Sequence, residues 1–330
     1  MPKSSPFVSQ RFGVIFSAME SSRVLNNLRS AIVPQLRAFV ERPSMGLVRG
    51  WILTREVSRE SKRVQLAASG MGLEILSPRV FRQLRSRKAG AETAYILGTG
   101  ASAAKLTKPQ LEEVSSQFSI GVNQWMLHPM IPDVYAYEVD PDARLLQSLN
   151  REDVRVARPF ILFLRPKTLL DQTNASFVPE FLRPRTFVYG RANIWTRRRK
   201  NICSDVMANL NRIVNTDNFA VLPDNGASIV RMILLAILLN FKRIVLVGVD
   251  LNNVRYFWHE DPSLLRRLGF SNFGTAQTGS IHETMSNLSR PFPVDIFIAE
   301  LAEGIGRRGI SLEIESSESE LAKYLAVKRW

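Results

Sequence analysis

Glycines and small polar residues follow an apolar run, in an arrangement that can bind a phosphate. The run Thr93 to Leu97 leads into Gly98-Thr99-Gly100-Ala101-Ser102 and then a helical pattern. Glycines at a strand-to-helix turn let the backbone approach a phosphate, and the N-terminus of the following helix attracts the anion. The third glycine of a dinucleotide fingerprint and the Walker A pair are both missing. The stretch predicts a nucleotide site, with a tight structural turn as the alternative.

Two further polar stretches stand at the ends of predicted elements. Asn123 follows the apolar run Phe118 to Val122, where an amide can bind a base, a sugar or a carboxylate. Ser228 opens an apolar helix, so it is a candidate for anion binding or a plain helix cap. Each has a structural alternative, and together they favour a ligand site at one edge of a sheet.

Carboxylates follow two other predicted strands. Asp140 and Asp142 come after the third strand, where they can meet ribose hydroxyls or a metal ion. Asp250 ends the buried run Val247-Gly248-Val249-Asp250, a frequent place for functional acids in α/β folds.

A histidine lies near the end of a long irregular segment, residues 252–293. The segment is rich in Asn, Ser, Gly, Pro and aromatic residues, which favours a lid over a disordered insertion. Histidine titrates near neutral pH, so His282 is a candidate general base for a hydroxyl nucleophile. A structural role is the alternative, and His128 and His259 are weaker candidates.

The elements that must position these residues follow an α/β pattern with a mostly parallel sheet. Predicted strands are Thr93–Leu97, Phe118–Val122, Val134–Val139, Phe160–Leu164, Thr186–Tyr189, Arg243–Val249 and Ile310–Ile314. Predicted helices are Val24–Val40, Ser204–Ile213, Ala227–Asn240, Val294–Arg307 and one from about Glu318. Residues 80–91 read as a linker, so the chain is expected to comprise a basic helical extension, 1–90, and a catalytic domain, 91–330.

Composition excludes several classes of protein. The chain of 330 residues is 45% hydrophobic and 22% charged, which excludes collagenous and wholly disordered proteins. One cysteine and three histidines leave no internal disulfide and little for a zinc site. No apolar run approaches the length of a spanning helix. A cytoplasmic location is expected.

The net charge of +14 is concentrated in the N-terminal segment. Residues 1–90 hold 16 Lys and Arg against 5 Asp and Glu, and residues 91–330 hold 28 against 25. Such a segment either contacts phosphate surfaces, such as anionic lipid headgroups, or is a soluble arm with a basic face. Signatures of RNA-binding folds are missing, so nucleic acid is not expected as a partner.

Taken in order, these motifs resemble those of the bacterial sialyltransferases of glycosyltransferase family 42, which use CMP-activated nonulosonic acid donors. The resemblance covers about residues 92–310 and rests on their order: Gly98 to Ser102, Val122-Asn123-Gln124, Ser228, Gly248-Val249-Asp250 and His282. It implies a Rossmann-type, GT-A-like domain with a lid, and transfer to a glycan or glycolipid hydroxyl without a metal or other cofactor.

The resemblance also implies roles for individual residues. His282 would be the general base, and Asn252 and Tyr256 would lie where the lid meets the departing phosphate. The implied contacts of the CMP-sugar co-substrate are Gly98, Thr99, Gly100, Ser102, Asn123, Asp140, Ser228 and Asp250. Peripheral attachment to the inner membrane is expected through the basic segment.

The sequence leaves two alternatives to a glycosyltransferase open. The opening turn is also similar to that of 6-hydroxymethylpterin diphosphokinases of the MptE-like type, which implies a magnesium-bound triphosphate near Asp140, Asp142 and Asp250. A non-enzymatic nucleotide-binding module is the other. A histidine at position 282 favours glycosyl transfer.

Overall fold

The computed structural model describes most of the chain after its basic N-terminal segment. Residues 46–138, 148–164, 178–194, 196, 198–252, 255–267, 285 and 292–330 are described, with side chains from Leu53 onward. The chain divides into two compact units, residues 1–55 and 56–330. Of the first unit, the described residues comprise only the beginning of one helix.

Helices and parallel strands alternate along the second unit. The helices are α1 (Gly46–Met71), α2 (Pro78–Ser86), α3 (Lys108–Ser116), α4 (Glu152–Ala157), α5 (Ile202–Asn215), α6 (Ser228–Leu238), α7 (Phe257–Glu260), α8 (Pro262–Arg267) and α9 (Val294–Gly306). The strands are β1 (Glu74–Ile75), β2 (Thr93–Leu97), β3 (Phe118–Val122), β4 (Val134–Tyr137), β5 (Phe160–Leu164), β6 (Thr186–Asn193), β7 (Val221–Asp224), β8 (Arg243–Val247), β9 (Ser311–Ile314) and β10 (Ala326–Val327).

The strands form one open sheet in the order β1-β6-β5-β4-β3-β2-β8-β9-β10, with β7 paired to the far half of β6. Every strand pair described in it is parallel. From β2, the chain builds outward through β3 to β6 on one side and through β8 to β10 on the other. The strand order therefore reverses between β2 and β8, where open α/β sheets bind their ligands. The predicted α/β class with a mostly parallel sheet is confirmed.

Both faces of the sheet are covered, which explains why its central strands are continuous apolar runs. In β2, Ala94 and Ile96 belong to one buried cluster, and Tyr95 and Leu97 to the other. Helices α2, α5, α6 and α9 pack on the first face, while α1, α3 and α7 pack on the second. Since side chains alternate across a strand, each strand contributes to both layers.

Two sequence expectations about local structure are wrong. The stretch expected as a linker contains α2, where Val80, Phe81 and Leu84 are buried in the core. The helix expected from about Glu318 is a single 3-10 turn, Glu320–Lys323, followed by β10. The helix expected at 24–40 lies outside the described residues, and the domain boundary at residue 90 stays a prediction. Among the described residues, no helix combines the length and apolarity needed to cross a bilayer.

Candidate functional site

A crevice of about 290 Å³ lies at the carboxyl ends of β2, β3 and β8, beside the point where the strand order reverses. Five stretches of chain line it: Gly98–Gly100, Val122–Gln124, Gly226–Ile229, Gly248–Leu251 and Arg255–Tyr256. They come from turns after β2, β3, β7 and β8 and from the residues that precede α7. The sheet therefore brings together positions from Gly98 to Tyr256, which lie far apart in the sequence.

The glycines of the first turn pack directly against the turn after β8. Gly98 N donates to Val247 O at 2.7 Å, and Gly100 N donates to Gly248 O at 2.7 Å. A Cβ on Gly100 would lie 2.6 Å from an Asp250 carboxylate oxygen, and one on Gly98 would lie 2.6 Å from Gly248 O. Glycine is thus required here for close contact between two backbones.

The side-chain carboxylate of Asp250 lies at the start of the short 3-10 turn Ala101–Lys105. Its Oδ2 accepts a hydrogen bond from Ser102 N at 3.0 Å, and both residues are buried. A carboxylate at the start of a helical turn satisfies an amide that a bound phosphate could otherwise use. Because the amides of Gly98, Gly100 and Ser102 all donate within the protein, this turn forms the wall of the crevice and does not offer them to a ligand.

Glu315 supports the same two turns from behind, a role that the sequence did not reveal. Its Oε2 accepts from Gly248 N at 3.2 Å and from the Ser102 hydroxyl at 3.5 Å. Burial raises the pKa of Glu315 to about 7, and the nearby charge of Asp250 acts in the same direction. A carboxyl group whose pKa burial raises to about 7 therefore lies behind the crevice wall.

Asn123 joins three elements at the floor of the crevice. Its Oδ1 accepts from Glu138 N at 2.9 Å, just after β4, and its Nδ2 donates to the Ser228 hydroxyl at 3.4 Å, at the start of α6. Its own backbone is left-handed, with φ of 49°, a conformation that asparagine tolerates better than most residues. Asn123 and Ser228 thus hold each other in place beside the crevice.

A buried charge network lies directly below Ser228. Arg231 donates from Nε to Glu138 Oε1 at 2.8 Å and also forms ion pairs with Glu138 Oε2 and Asp224 Oδ1. Its Nη2 lies 3.3 Å from the Ser228 hydroxyl, and the Tyr189 hydroxyl donates a hydrogen bond to Glu138. Burial would raise the pKa of Glu138, but the charge and hydrogen bonds of Arg231 hold it below its ordinary value.

Tyr256 and Arg255 form the side of the crevice nearest α7. Tyr256 forms an isolated antiparallel bridge with Gly100, and Phe257 N donates to Thr99 O at 3.1 Å. The Tyr256 ring stacks on Trp258 with 4.5 Å between centroids. Arg255 brings a cation to the same wall and pairs with Glu260 at 2.9 Å. The start of the expected lid is therefore fastened to the glycine turn.

The residues expected at the site on sequence grounds fall into three groups. Those that line the crevice are Gly98, Thr99, Gly100, Asn123, Ser228, Asp250 and Tyr256. Ser102 lies behind the wall, and Asn252 is exposed, with Nδ2 donating to Glu318 O at 2.7 Å. Asp140 and His282 lie outside the described residues, so their expected roles stay predictions.

The two described histidines have local partners. His128 is buried, accepts from Met130 N at 3.0 Å and stacks on Trp125. Burial, and secondarily Arg151, lowers the pKa of His128 to about 4, so it stays neutral at physiological pH. His259 Nδ1 accepts from Tyr256 N at 3.0 Å and supports the turn that carries Tyr256. Within the described ranges, no three His, Cys, Asp or Glu side chains cluster as metal ligands would.

Comparison with proteins of known structure finds sialyltransferases. The chain is similar to the sialyltransferase CstII from Campylobacter jejuni in complex with the substrate analogue CMP-3FNeuAc, with 15% identity, 72% of this chain and 86% of that chain covered, and a TM-score of 0.38. It is also similar to the monofunctional α-2,3-sialyltransferase Cst-I from Campylobacter jejuni, with 13% identity, 73% and 82% covered, and a TM-score of 0.37.

These likenesses are weak. No family model matches the chain, and no curated protein matches it in sequence. Identities of 13% and 15% with TM-scores of 0.37 and 0.38 do not by themselves assign an activity to this chain.

Proposed function

We propose that this protein is a glycosyltransferase that moves an acidic sugar from a CMP-activated donor to a hydroxyl group of a glycan or glycolipid. The observation that carries the proposal is the crevice where the strand order reverses, lined by Gly98–Gly100, Asn123, Ser228 and Tyr256. Crevices at such points are where α/β sheets bind nucleotides. The order of the same residues in the sequence is what resembles the family 42 enzymes.

The charges around the crevice suit an anionic donor on one side. Residues 227–229 begin α6, whose eleven residues place the positive end of the helix dipole at the crevice. Arg255 adds a cation on the neighbouring wall. We place the phosphate or the sugar carboxylate between these two groups, and we place the nucleoside beside Asn123.

In the proposed reaction, the acceptor oxygen attacks the anomeric carbon of the donor sugar while the bond from that carbon to the phosphate oxygen breaks. His282 takes the proton from the acceptor hydroxyl, and CMP leaves with its negative charge. Tyr256 is proposed to donate a hydrogen bond from its hydroxyl to the leaving phosphate, since it lines the crevice next to Arg255. No cofactor is required, and the CMP-sugar is a co-substrate.

A transfer assay with CMP-sialic acid and a panel of sugar acceptors tests this proposal. The variant His282→Ala should lose turnover while CMP binding stays nearly intact, because the base acts on the acceptor and not on the nucleotide. Arg266→Ala is the matched control, because Arg266 is an exposed residue of α8 in the same predicted lid, and this variant should retain turnover. Undiminished turnover in His282→Ala would remove His282 from the mechanism.

A metal dependence test separates this reaction from the diphosphokinase alternative. Turnover should be unaffected by EDTA if transfer needs no metal. A strict magnesium requirement together with use of a nucleoside triphosphate would favour the diphosphokinase. Of the carboxylates that alternative needs, Asp250 already accepts a hydrogen bond from Ser102 N.

Attachment to a membrane through the basic N-terminal segment is proposed as well. The 16 Lys and Arg of residues 1–90 suit an anionic inner-membrane surface, with the enzyme on the cytoplasmic side. Flotation of the full chain with anionic vesicles, repeated at rising salt, tests this, since electrostatic attachment must weaken as salt increases.

A further inference from the structure

Cations gather at the amino-terminal edge of the sheet, the edge opposite the crevice. Arg87 and Lys88 follow α2, Arg158 ends α4 two residues before β5, and Arg185 directly precedes β6. Asp133, which precedes β4, is a carboxylate close to two of them, Arg87 and Lys88. Arg87, Arg158 and Arg185 are called the arginine cluster below.

Hydrogen bonds to consecutive carbonyl groups bring two of these guanidinium groups side by side. Arg87 Nη2 donates to Ala157 O, and Arg185 Nη1 donates to Arg158 O at 3.1 Å. Arg185 is also held over the Phe160 ring, 4.9 Å from its centroid. Cations commonly bind the last carbonyl groups of a helix, and α4 ends here. The like charges are thus fixed close together.

Carboxylates compensate this charge only in part. Arg87 Nε pairs with Asp133 Oδ1 at 3.3 Å, and that buried carboxylate also accepts from Ser119 N. Burial lowers the pKa of Arg185, and the charges of Arg87 and Arg158 lower it further, with no acidic group acting against them. Within the described part of the chain, the side chain of Arg158 has neither a hydrogen bond nor an ion pair.

Several donors of the arginine cluster therefore remain available to a ligand. A guanidinium group carries five N–H donors in a fixed plane. Arg185 uses Nη1, and Arg87 uses Nε and Nη2, for the bonds given above. Planar donor forks of this kind match the oxygens of a phosphate group better than they match any neutral ligand.

The backbone of Arg158 adds a separate observation. Its φ is 48°, in the left-handed region where a helix usually ends with glycine. Arginine at this position is less favourable for the fold than glycine would be. A substitution to glycine therefore removes the side chain without requiring the backbone to change.

We propose that the arginine cluster binds a phosphate group at the edge of the sheet opposite the crevice. The phosphate is carried either by an anionic lipid headgroup or by a free phosphate compound, since both present the same oxygens to the guanidinium groups. The site is independent of the proposed transferase chemistry, because none of its residues lines the crevice.

The full-length protein and three variants test the proposal. Arg158→Gly and Arg185→Gln each remove one member of the cluster, and Arg82→Gln removes an exposed charge from α2 as the matched control. The first arm measures thermal unfolding in rising inorganic phosphate against chloride at equal ionic strength. The second measures cosedimentation with phosphatidylglycerol vesicles against phosphatidylcholine vesicles.

Loss of one charge-assisted contact should weaken phosphate binding about tenfold in both cluster variants and leave the Arg82→Gln variant like the wild type. In the absence of phosphate, the Arg158→Gly variant should unfold at a temperature no lower than that of the wild type. Dependence on the cluster in the vesicle arm identifies a lipid headgroup, and dependence in the phosphate arm alone identifies a free compound. Equal behaviour of all four proteins in both arms would overturn the proposal.

Discussion

Replacing Arg231 with methionine should strongly destabilise the protein. The side chains of Arg231, Glu138 and Asp224 are 3%, 1% and 3% exposed, so neither carboxylate gains water when the arginine is removed. Breaking a buried ion pair from one side costs about 3 to 5 kcal/mol, because it leaves a charge without a partner. A domain of this kind has about 5 to 15 kcal/mol of unfolding free energy in all. We therefore expect the variant to lose a large fraction of its unfolding free energy at neutral pH.

Arg191→Met is the matched control for this change. Arg191 contacts the same carboxylate, with Nη1 3.5 Å from Asp224 Oδ2, but its side chain is 41% exposed. Exposed ion pairs contribute about 0 to 1 kcal/mol, since water screens them and solvates the separated charges. Both variants remove a guanidinium group near Asp224, and the loss in unfolding free energy should be several-fold larger for Arg231→Met than for Arg191→Met.

The loss in the Arg231→Met variant should also depend on pH. In the wild type, Arg231 holds the pKa of Glu138 below 4.5 against the effect of burial, so this stabilisation is present above the ordinary pKa and is lost as pH falls through the folded value. Without Arg231, burial is opposed by the weaker effects of the hydrogen bonds from Ser228 and Tyr189, and we expect the pKa of Glu138 to rise above its ordinary value. The variant then gains stability when Glu138 becomes protonated, and the difference from the wild type shrinks in acid.

Urea unfolding at about pH 7 and about pH 5, followed by circular dichroism, measures both effects. CMP binding should weaken as well, because Arg231 contacts the Ser228 hydroxyl beside the crevice. A loss below about 1 kcal/mol at neutral pH, or a loss that does not change between the two pH values, would show that Arg231 does not compensate the two buried carboxylates.

Three further predictions concern the crevice wall and the core. Gly100→Ala should lower the free energy of unfolding by about 1 to 3 kcal/mol, because its Cβ would lie 2.6 Å from an Asp250 carboxylate oxygen. Gly306→Ala, at the end of a helix with nothing within 4 Å of its Cβ, should instead raise it by up to about 1 kcal/mol. Thermal unfolding of the two variants measures the difference. Burial raises the pKa of Glu315 to about 7, so the stability it contributes is fully present below its ordinary pKa of 4.5 and is lost as pH rises through about 7. The free energy of unfolding should therefore fall by on the order of 2 to 3 kcal/mol over this range in the wild type, and urea titrations of Glu315→Gln should not show this fall. His128, with a folded pKa of about 4, contributes stability that is present above its ordinary 6.5 and lost as pH falls toward 4, and its ring resonances in NMR should not shift between about pH 8 and pH 5.5.

The central strands were predictable because each is a short apolar run between polar turns. The bounds of β2, β3 and β5 are those expected from the sequence, since strands covered on both faces need no alternation. Strand β7, which contains Pro223, was not among the predicted strands. Proline removes a backbone donor, and it is tolerated here because β7 pairs with β6 on one side only among the described strands.

The residues that line the crevice were predictable where they follow strands, and the groups that support them were not. Glycines and polar residues after β2, β3 and β8 carry a local signal. Glu315 has none, because its contacts with Ser102 and Gly248 join positions far apart in the sequence. Arg231 is the one charged residue of the apolar helix α6, and a single arginine in such a run itself indicates a buried acidic partner.

Asp250 shows how a motif can be found while its role differs from the expected one. It was expected to contact the donor nucleotide and does line the crevice. One of its oxygens, however, holds Ser102 N, so it also fixes the glycine turn. Sequence alone does not distinguish a carboxylate that binds a ligand from one that supports the wall around it.

Isothermal titration of the full-length protein with CMP in the presence of EDTA asks directly whether the crevice binds a CMP-activated donor. We expect saturable binding of one CMP per chain without metal, weakened by Gly100→Ala and unchanged by Gly306→Ala. Absence of CMP binding, or binding that Gly100→Ala leaves unchanged, would contradict the assignment of the crevice as the site of a CMP-activated donor.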